Sequence, residues 1–261
     1  MTTSLRTLDT EDLTSRVRAM YRDVALHPER SFHFETGRAL AERLGYPPAE
    51  LDRIPAPAVD SFAGVGYFFD LAAIAPGETV LDLGSGSGMD SLLAAVATGP
   101  RGKVIGVDMT PEQLAKAARL AAGAGLGNIA FREGRIEEPP VAPGSVDCVV
   151  SNGVINLAPD KGAVFAAAAA ALRPNGRLAV ADIVTASELP AGVRCDASLW
   201  ASCIGGAMQR ERYLDSIERA GFEVLEVRPN ERYRFLSDQA VNATREFGVE
   251  SVSLLARRAG G

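Results

Sequence analysis

The sequence has little of what disulfide frameworks, metal sites and nucleic-acid surfaces require. Its 261 residues include 3 cysteines and 2 histidines, and a small, odd number of cysteines is typical of free thiols in a reducing cytoplasm. The net charge is −6 without clustered Lys and Arg, which disfavours nucleic acid, because phosphate binding needs a basic surface. The N-terminus lacks an apolar signal core, and no apolar run has the length of a membrane span. We therefore expect a cytoplasmic protein with no membrane or nucleic-acid partner and no metal site.

Glycine, by contrast, is concentrated in the stretch Asp82-Leu83-Gly84-Ser85-Gly86-Ser87-Gly88. The stretch follows the apolar run Thr79–Leu83, and Asp90 then opens a helix-like run. A buried parallel strand, a glycine turn and a helix start form a pocket whose floor is bare backbone. Taken alone, the same pattern also fits a plain tight turn.

A second acid follows the next strand and favours a ligand site. The strand Lys103–Val107 leads into Asp108, about 20 residues on, where an acid meets a ribose in dinucleotide folds. A dinucleotide fingerprint has two residues between its second and third glycines, so that pyrophosphate reaches the helix. Here the glycines alternate, and the carboxylate of Asp82 suits a cation better than a phosphate. S-adenosylmethionine (SAM), with an ammonium, a sulfonium and no phosphate, is the expected cofactor, and NAD-dependent oxidoreduction is the disfavoured alternative.

The chain divides into an N-terminal segment and a core. Residues 1–75 are interpreted as a helical and aromatic lid, or alternatively as a segment that only packs on the core, with an extended proline-rich linker over 47–57. Residues 76–261 alternate between strand and helix patterns, which predicts an α/β fold with a parallel sheet, and 185–209 form an irregular connector on the substrate side. Strands are expected at 79–83, 103–107, 128–132, 145–151, 177–184, 222–227 and 251–256, and helices at 91–97, 110–124, 160–172 and 211–220.

Five ordered motifs carry a resemblance to a known family. They are the glycine stretch, Gly106-Val107-Asp108, Glu133-Gly134-Arg135-Ile136-Glu137, Ser151–Leu157 and Leu172–Ala179. Over residues 76–261 the chain resembles the class I SAM-dependent methyltransferases, which implies a Rossmann-like seven-stranded sheet with helices on both faces.

The resemblance also implies roles for individual residues. In that family the glycine loop holds the methionine part of SAM, and the acid after the second strand binds both ribose hydroxyls. Residue 109 would pack on the adenine, and residues 136 and 137 would meet its edge. The expected cofactor-binding residues are Tyr21, Asp82, Gly84, Ser85, Gly86, Gly88, Asp90, Asp108, Met109, Ile136, Glu137 and Asn152.

A narrower resemblance is to the bacterial arsenite methyltransferases. It rests on Val17–Tyr21, Val107–Glu112, Ser151–Leu157, Pro159-Asp160-Lys161 and Cys203–Ala207. That family holds As(III), a soft centre, with thiolates from its N-terminal segment, from the loop after strand four and from the connector after strand five.

This chain departs from that thiolate pattern. Only Cys203 matches, because the loop carries Gly153 and the first 147 residues contain no cysteine. Cys195 could add a second thiolate, whereas Cys148 lies within a strand and is expected in the core. The family's three-thiolate site therefore cannot form as such, and an arsenite methyltransferase using Cys203 and Cys195 stays the alternative function.

The expected function is in-line methyl transfer to a small organic S-, C- or O-nucleophile. No Asn/Asp-Pro-Pro-Tyr/Phe tetrapeptide follows strand four, which disfavours amino-group methylation of nucleic acid or protein. A SAM-binding scaffold without catalysis is the alternative of another class, and the chain is expected to be a monomer or a homodimer. The candidate catalytic residues are His33, Glu35, Asn152 and Cys203, and Asn156 and Trp200 are further candidates for lining the acceptor pocket, although each also fits a structural role.

Overall fold

The computed structural model describes residues 10–190, 193 and 204–260. Within them a mixed sheet has the strand order β3-β2-β1-β4-β5-β8-β7, with β6 pairing the end of β5. The first five strands are parallel, and β8 runs antiparallel to both β5 and β7. The predicted α/β class with a seven-stranded sheet is therefore confirmed. The strands are β1 (Thr79–Leu83), β2 (Lys103–Asp108), β3 (Ile129–Glu133), β4 (Val146–Asn152), β5 (Leu172–Thr185), β6 (Met208–Gln209), β7 (Phe222–Pro229) and β8 (Val249–Arg258).

Helices cover both faces of the sheet because its strands are apolar on both sides, as buried parallel strands require. On β1, Leu81 and Leu83 face one core, and Val80 faces the other. The helices are α1 (Thr10–Leu26), α2 (Arg38–Leu44), α3 (Pro48–Leu51), α4 (Ala56–Asp60), α5 (Phe69–Ala72), α6 (Met89–Thr98), α7 (Pro111–Gly123), α8 (Lys161–Ala171), α9 (Arg210–Arg219) and α10 (Asp238–Phe247), with a 3-10 turn at Ile155–Leu157.

Each face has its own set of helices. Phe165 of α8 and Tyr213 of α9 pack with Leu81 in the first core. Ala94 of α6 and Ala243 of α10 lie with Val80 in the second core. Among the described residues, no helix combines the length and the apolar composition that crossing a bilayer requires, and no group of three or more His, Cys, Asp or Glu is arranged to hold a metal ion.

Three expectations about local structure were wrong. The proline-rich stretch 47–57 is not an extended linker, because Pro48 and Pro57 occupy first-turn positions of α3 and α4, where proline is tolerated. Strand β5 begins at Leu172 rather than at Arg177. Its register with β4 shifts at this point, since Leu172 pairs with Val146 and Arg177 pairs with Cys148. Helix α10 was not predicted at all, since its sequence is polar apart from one narrow apolar stripe.

Candidate active site

A solvent-connected cavity lies at the carboxyl ends of β1, β2 and β4. The strand order reverses direction between β1 and β4, and ligands of open α/β sheets bind at such a switch point. The walls come from α1, residues 58–64, the turn after β1, the ends of β2 and β4, residues 134–137 and residues 157–159.

Glycines shape the floor of the cavity. Gly84, Gly86 and Gly88 have φ of 78°, 51° and 90°, a backbone region that glycine adopts without steric cost. A Cβ on Gly84 would lie 2.5 Å from the methyl groups of Val154, and one on Gly88 would lie 3.0 Å from the ring of Phe131. Position 84 therefore needs glycine for both conformation and space, and the turn presents bare backbone to the cavity.

Three aspartates line the cavity, in addition to Glu137. Asp82 and Asp90 are 3% and 7% exposed, and Asp108 is partly exposed at the surface of the cavity. Burial and, to a smaller extent, the charge of Asp90 raise the pKa of Asp82 to about 8, opposed by the Ser91 hydroxyl, which donates to Asp82 Oδ2 at 2.5 Å. Burial raises the pKa of Asp90 to about 6 and also raises the pKa of Asp108. Asp90 and Asp108 both raise the pKa of Asp82 by their charge, and acids grouped in this way in a cavity indicate a site that suits a cation.

Asp108 links the ends of two elements to the glycine turn. Its Oδ2 accepts a hydrogen bond from the Gly86 N–H at 2.9 Å, and its Oδ1 accepts one from the Thr110 N–H at 2.8 Å. The Thr110 side chain and the Met109 backbone also hydrogen-bond to this carboxylate and favour its ionised form.

Asn152, at the end of β4, connects the cavity to the N-terminal segment. Its Oδ1 accepts from the Val65 N–H at 2.8 Å, and its Nδ2 lies 3.0 Å from Asp90 Oδ2 and 3.0 Å from the hydroxyl of Tyr46. Tyr46, which the sequence analysis did not single out, is fully buried and donates to Asp90 Oδ1 at 2.6 Å.

Helix α1 forms one wall of the cavity. Leu13, Val17 and Tyr21 line it, and two side chains of α7 hold the helix there. Gln113 Nε2 donates to the Tyr21 carbonyl at 2.8 Å, and Lys116 Nζ donates to the Ala25 carbonyl at 3.0 Å. Gln113 Oε1 also accepts a hydrogen bond from the hydroxyl of Ser87 in the glycine turn. Helix α7 therefore connects α1 to the glycine turn.

Met109 and residues 134–137 also line the cavity. Ile136 is buried, and Glu137 pairs with the guanidinium of Arg135 at 3.0 Å. Among the described residues that line the cavity, Arg135 is the one Lys or Arg side chain. Because it is paired with Glu137, Asp82, Asp90 and Asp108 have no Lys or Arg partner among these lining residues.

Not every candidate residue reaches the cavity. His33 packs edge-on against Phe34, with ring centroids 4.7 Å apart, and Glu35 is ion-paired with Arg43; neither belongs to the lining. The expectation that they line the acceptor pocket is therefore not met in this structure, because each is engaged within the N-terminal segment. Asn156 is buried within the 3-10 turn and is likewise not part of the lining.

The structure describes one of the three cysteines. Cys148 is fully buried in β4, and burial raises the pKa of its thiol to about 12, so it belongs to the core as predicted. Cys195, Trp200 and Cys203 lie outside the described residues.

Comparison with known proteins identifies the family of this chain. Residues 74–221 match the family described as "Methyltransferase domain". The structure of an arsenic(III) S-adenosylmethionine methyltransferase from Chlamydomonas reinhardtii superposes with a TM-score of 0.64 at 31% identity, covering 86% of this chain and 74% of that one. The chain belongs to the class I SAM-dependent methyltransferases.

Two further relatives of this methyltransferase chain have names that state different substrates. An arsenite methyltransferase of Halobacterium salinarum is 43% identical over 220 residues, which are 84% of this chain and 56% of that protein. The chain thus spans about half the length of the curated relatives it matches. A geranyl diphosphate C-methyltransferase of Streptomyces coelicolor shares the fold, with a TM-score of 0.69 at 17% identity and 99% coverage of both chains.

The cavity fits the cofactor of this methyltransferase family. SAM carries an ammonium, a sulfonium and a carboxylate, so its net charge is positive. The described lining residues include four acids and one Lys or Arg side chain, Arg135, which is paired with Glu137, so the charge of the lining suits a cationic ligand. Ser85 also lines the cavity, and its hydroxyl oxygen is buried without a hydrogen-bond partner within the described protein.

Proposed function

We propose that this methyltransferase transfers the methyl group of SAM to a small-molecule acceptor bound beneath α1. The observation that carries the proposal is the cavity itself, whose lining combines carboxylates and the glycine turn with the apolar side chains of Leu13, Val17 and Leu157. Such a lining offers polar contacts that orient a ligand and apolar contacts that exclude water.

Each cofactor contact is assigned by its chemistry. Asp108 would bind the ribose hydroxyls, and the glycine turn with Asp82 and Asp90 would hold the charged amino-acid end. Met109, Ile136 and Glu137 would surround the adenine, and Tyr21 and Asn152 would complete the enclosure. All of these residues line one cavity, which supports the set as a whole.

When bound, SAM supplies an electrophilic methyl group on a sulfonium. The protein's task is then to align the acceptor with that group and to keep water away. We propose that residues 1–75 serve as a lid for this purpose, since Leu13, Val17 and Tyr21 of α1 line the cavity together with residues of the core. A sulfur or carbon nucleophile needs little help from a general base, whereas a hydroxyl needs more.

An organic acceptor is favoured over arsenite by the loop after β4. Gly153 stands where the resembling family has a thiolate, and its φ of 70° suits glycine. A Cβ built there would lie 3.1 Å from the Cγ1 atom of Val65. An apolar side chain therefore occupies the place towards which a ligating side chain at 153 would extend.

Arsenite remains the second candidate because of the relatives. The protein from Halobacterium salinarum at 43% identity is named an arsenite methyltransferase. In this chain, arsenic binding would depend on Cys203 and Cys195, with thiolates as the ligands that As(III) prefers.

Turnover of methyl-labelled SAM tests the proposal. The protein is assayed with arsenite plus glutathione, and in parallel with small thiols, phenols and activated carbon acids. Labelled organic product, unchanged in Cys203→Ser, supports the proposal. Methylated arsenic that disappears in Cys203→Ser selects the arsenite candidate, and tight SAM binding without turnover on any acceptor selects the scaffold alternative.

A further inference from the structure

Tyr46 connects the N-terminal segment to a charged group of the cavity without lining the cavity itself. It follows Gly45, which ends α2 in the left-handed conformation, and its side chain is fully buried. Its hydroxyl donates to Asp90 Oδ1 at 2.6 Å, while Asn152 Nδ2 lies 3.0 Å from both the Tyr46 oxygen and Asp90 Oδ2. Tyr46, Asp90 and Asn152 therefore form a closed triangle.

The position of Tyr46 is fixed by its ring. Phe62, Tyr67 and Phe69 surround it, with ring-centroid distances of 5.2, 4.9 and 6.0 Å and mostly edge-on geometry. Aromatic pairs of this geometry are favourable and well ordered, so the ring leaves the hydroxyl little freedom to choose another partner. The hydrogen bond to Asp90 is thus a property of the packed structure.

The hydrogen bond also acts on the charge of Asp90. Burial raises the pKa of this carboxyl to about 6, and the hydrogen bonds from Tyr46 and Asn152 oppose that shift. A hydrogen bond to a carboxylate stabilises its ionised form. Two other titratable groups face Asp90 from neighbouring elements: Asp82 of β1, whose pKa Asp90 raises, and Tyr67, whose pKa it also raises.

We infer that Tyr46 is a positioning residue of the cofactor site, which holds the Asp90 carboxylate ionised and oriented to receive a positive group of SAM. This inference rests on the proposed SAM site. It assigns to the N-terminal segment a role in cofactor affinity that is separate from covering the acceptor.

The test is the pH dependence of SAM affinity in Tyr46→Phe, measured by calorimetry between pH 5.5 and 8.5. In the wild-type protein, affinity should fall as the pH drops towards 6, because Asp90 becomes protonated. Loss of the hydroxyl should move this lower phase upward by about one pH unit, so that binding near pH 6.5 is several-fold weaker than wild type and converges with it at high pH. The phase that belongs to Asp82, near pH 8, should stay separate.

Tyr67→Phe is the matched control, because it removes a hydroxyl from the ring that packs against Tyr46 and leaves the bond to Asp90 in place. It should follow the wild-type profile. Asp90→Asn should abolish the lower phase, and adding Tyr46→Phe to it should have no further effect on affinity.

A second readout needs no ligand. Carboxyl-labelled NMR of the free protein should show a higher Asp90 pKa in Tyr46→Phe than in the wild type. If Tyr46→Phe folds and shows wild-type profiles in both measurements, or weakens binding equally at every pH, the positioning role is refuted. If the wild-type protein fails to bind SAM at all, the proposed function fails and this inference with it. Should Tyr46→Phe not fold, a pH profile unchanged by Asp90→Asn would refute the inference.

Discussion

Asp108 offers the most direct test of the cofactor site. Its Oδ2 accepts a hydrogen bond from the Gly86 N–H and its Oδ1 accepts one from the Thr110 N–H, and we expect the same carboxylate to bind both ribose hydroxyls of SAM. In Asp108→Ala both ribose contacts are lost. A hydrogen bond to a charged acceptor contributes about 1.5–3 kcal/mol, so the pair amounts to about 3–6 kcal/mol. Since 1.4 kcal/mol corresponds to a tenfold change, SAM affinity should fall by about 10²- to 10⁴-fold.

The control for this experiment is the acid on the adjacent strand. Glu133 pairs with Asp108 in the β2–β3 register, is exposed and does not line the cavity. Glu133→Ala should therefore bind SAM as the wild type does. The assay is calorimetric titration with SAM, accompanied by thermal unfolding without ligand to verify that Asp108→Ala still folds. A folded Asp108→Ala protein that binds SAM within threefold of wild type would refute the ribose assignment.

Two further predictions concern the turn and the charge of the cavity. Gly84→Ala should lower the melting temperature and abolish SAM binding, because the added Cβ would lie 2.5 Å from Val154 and the residue has a φ of 78°. The control is Gly123→Ala in α7, where no atom lies near the added Cβ. This control should be neutral or stabilising. The raised pKa of Asp82 means that the folded protein binds a proton more tightly than the unfolded chain, so ligand-free stability should decline as pH rises from about 4 to about 8. Asp82→Asn should reduce that decline mainly between pH 6 and pH 8, because Asp90 and Asp182, with pKa values of about 6, contribute at lower pH. It should stabilise the free protein at pH 8 while weakening SAM binding, and denaturant unfolding at pH 6 and pH 8 measures it. An unaltered pH profile in Asp82→Asn would contradict this assignment.

The core of the fold could be predicted from the sequence because its signals are local. The apolar runs of β1 and β2 and the alternating glycines after β1 are consecutive residues whose pattern identifies strand, turn and helix start. Their order along the chain also placed Asp82 and Asp108 at the same edge of a parallel sheet. The structure brings both into one cavity with Met109 and Ile136.

The N-terminal segment was predicted less well because its structure depends on packing. The prolines of 47–57 suggested an extended linker, but proline at a first helical turn is compatible with the short helices α3 and α4. His33 and Glu35 were candidates by residue type alone, and the partners that engage them within this segment, Phe34 and Arg43, cannot be identified from spacing.

The sequence by itself determined the α/β class, the strand–turn–helix motif and the two acids that follow β1 and β2, because residues close in the chain encode them. Only the tertiary structure decided that Tyr46, Asp90 and Asn152 meet, that Gln113 of α7 joins the α1 wall to the glycine turn, and that Val65 lies against the position of Gly153. These contacts join residues separated by up to 106 positions. Their physical basis is the burial of polar groups, which must find partners wherever the folded chain places them.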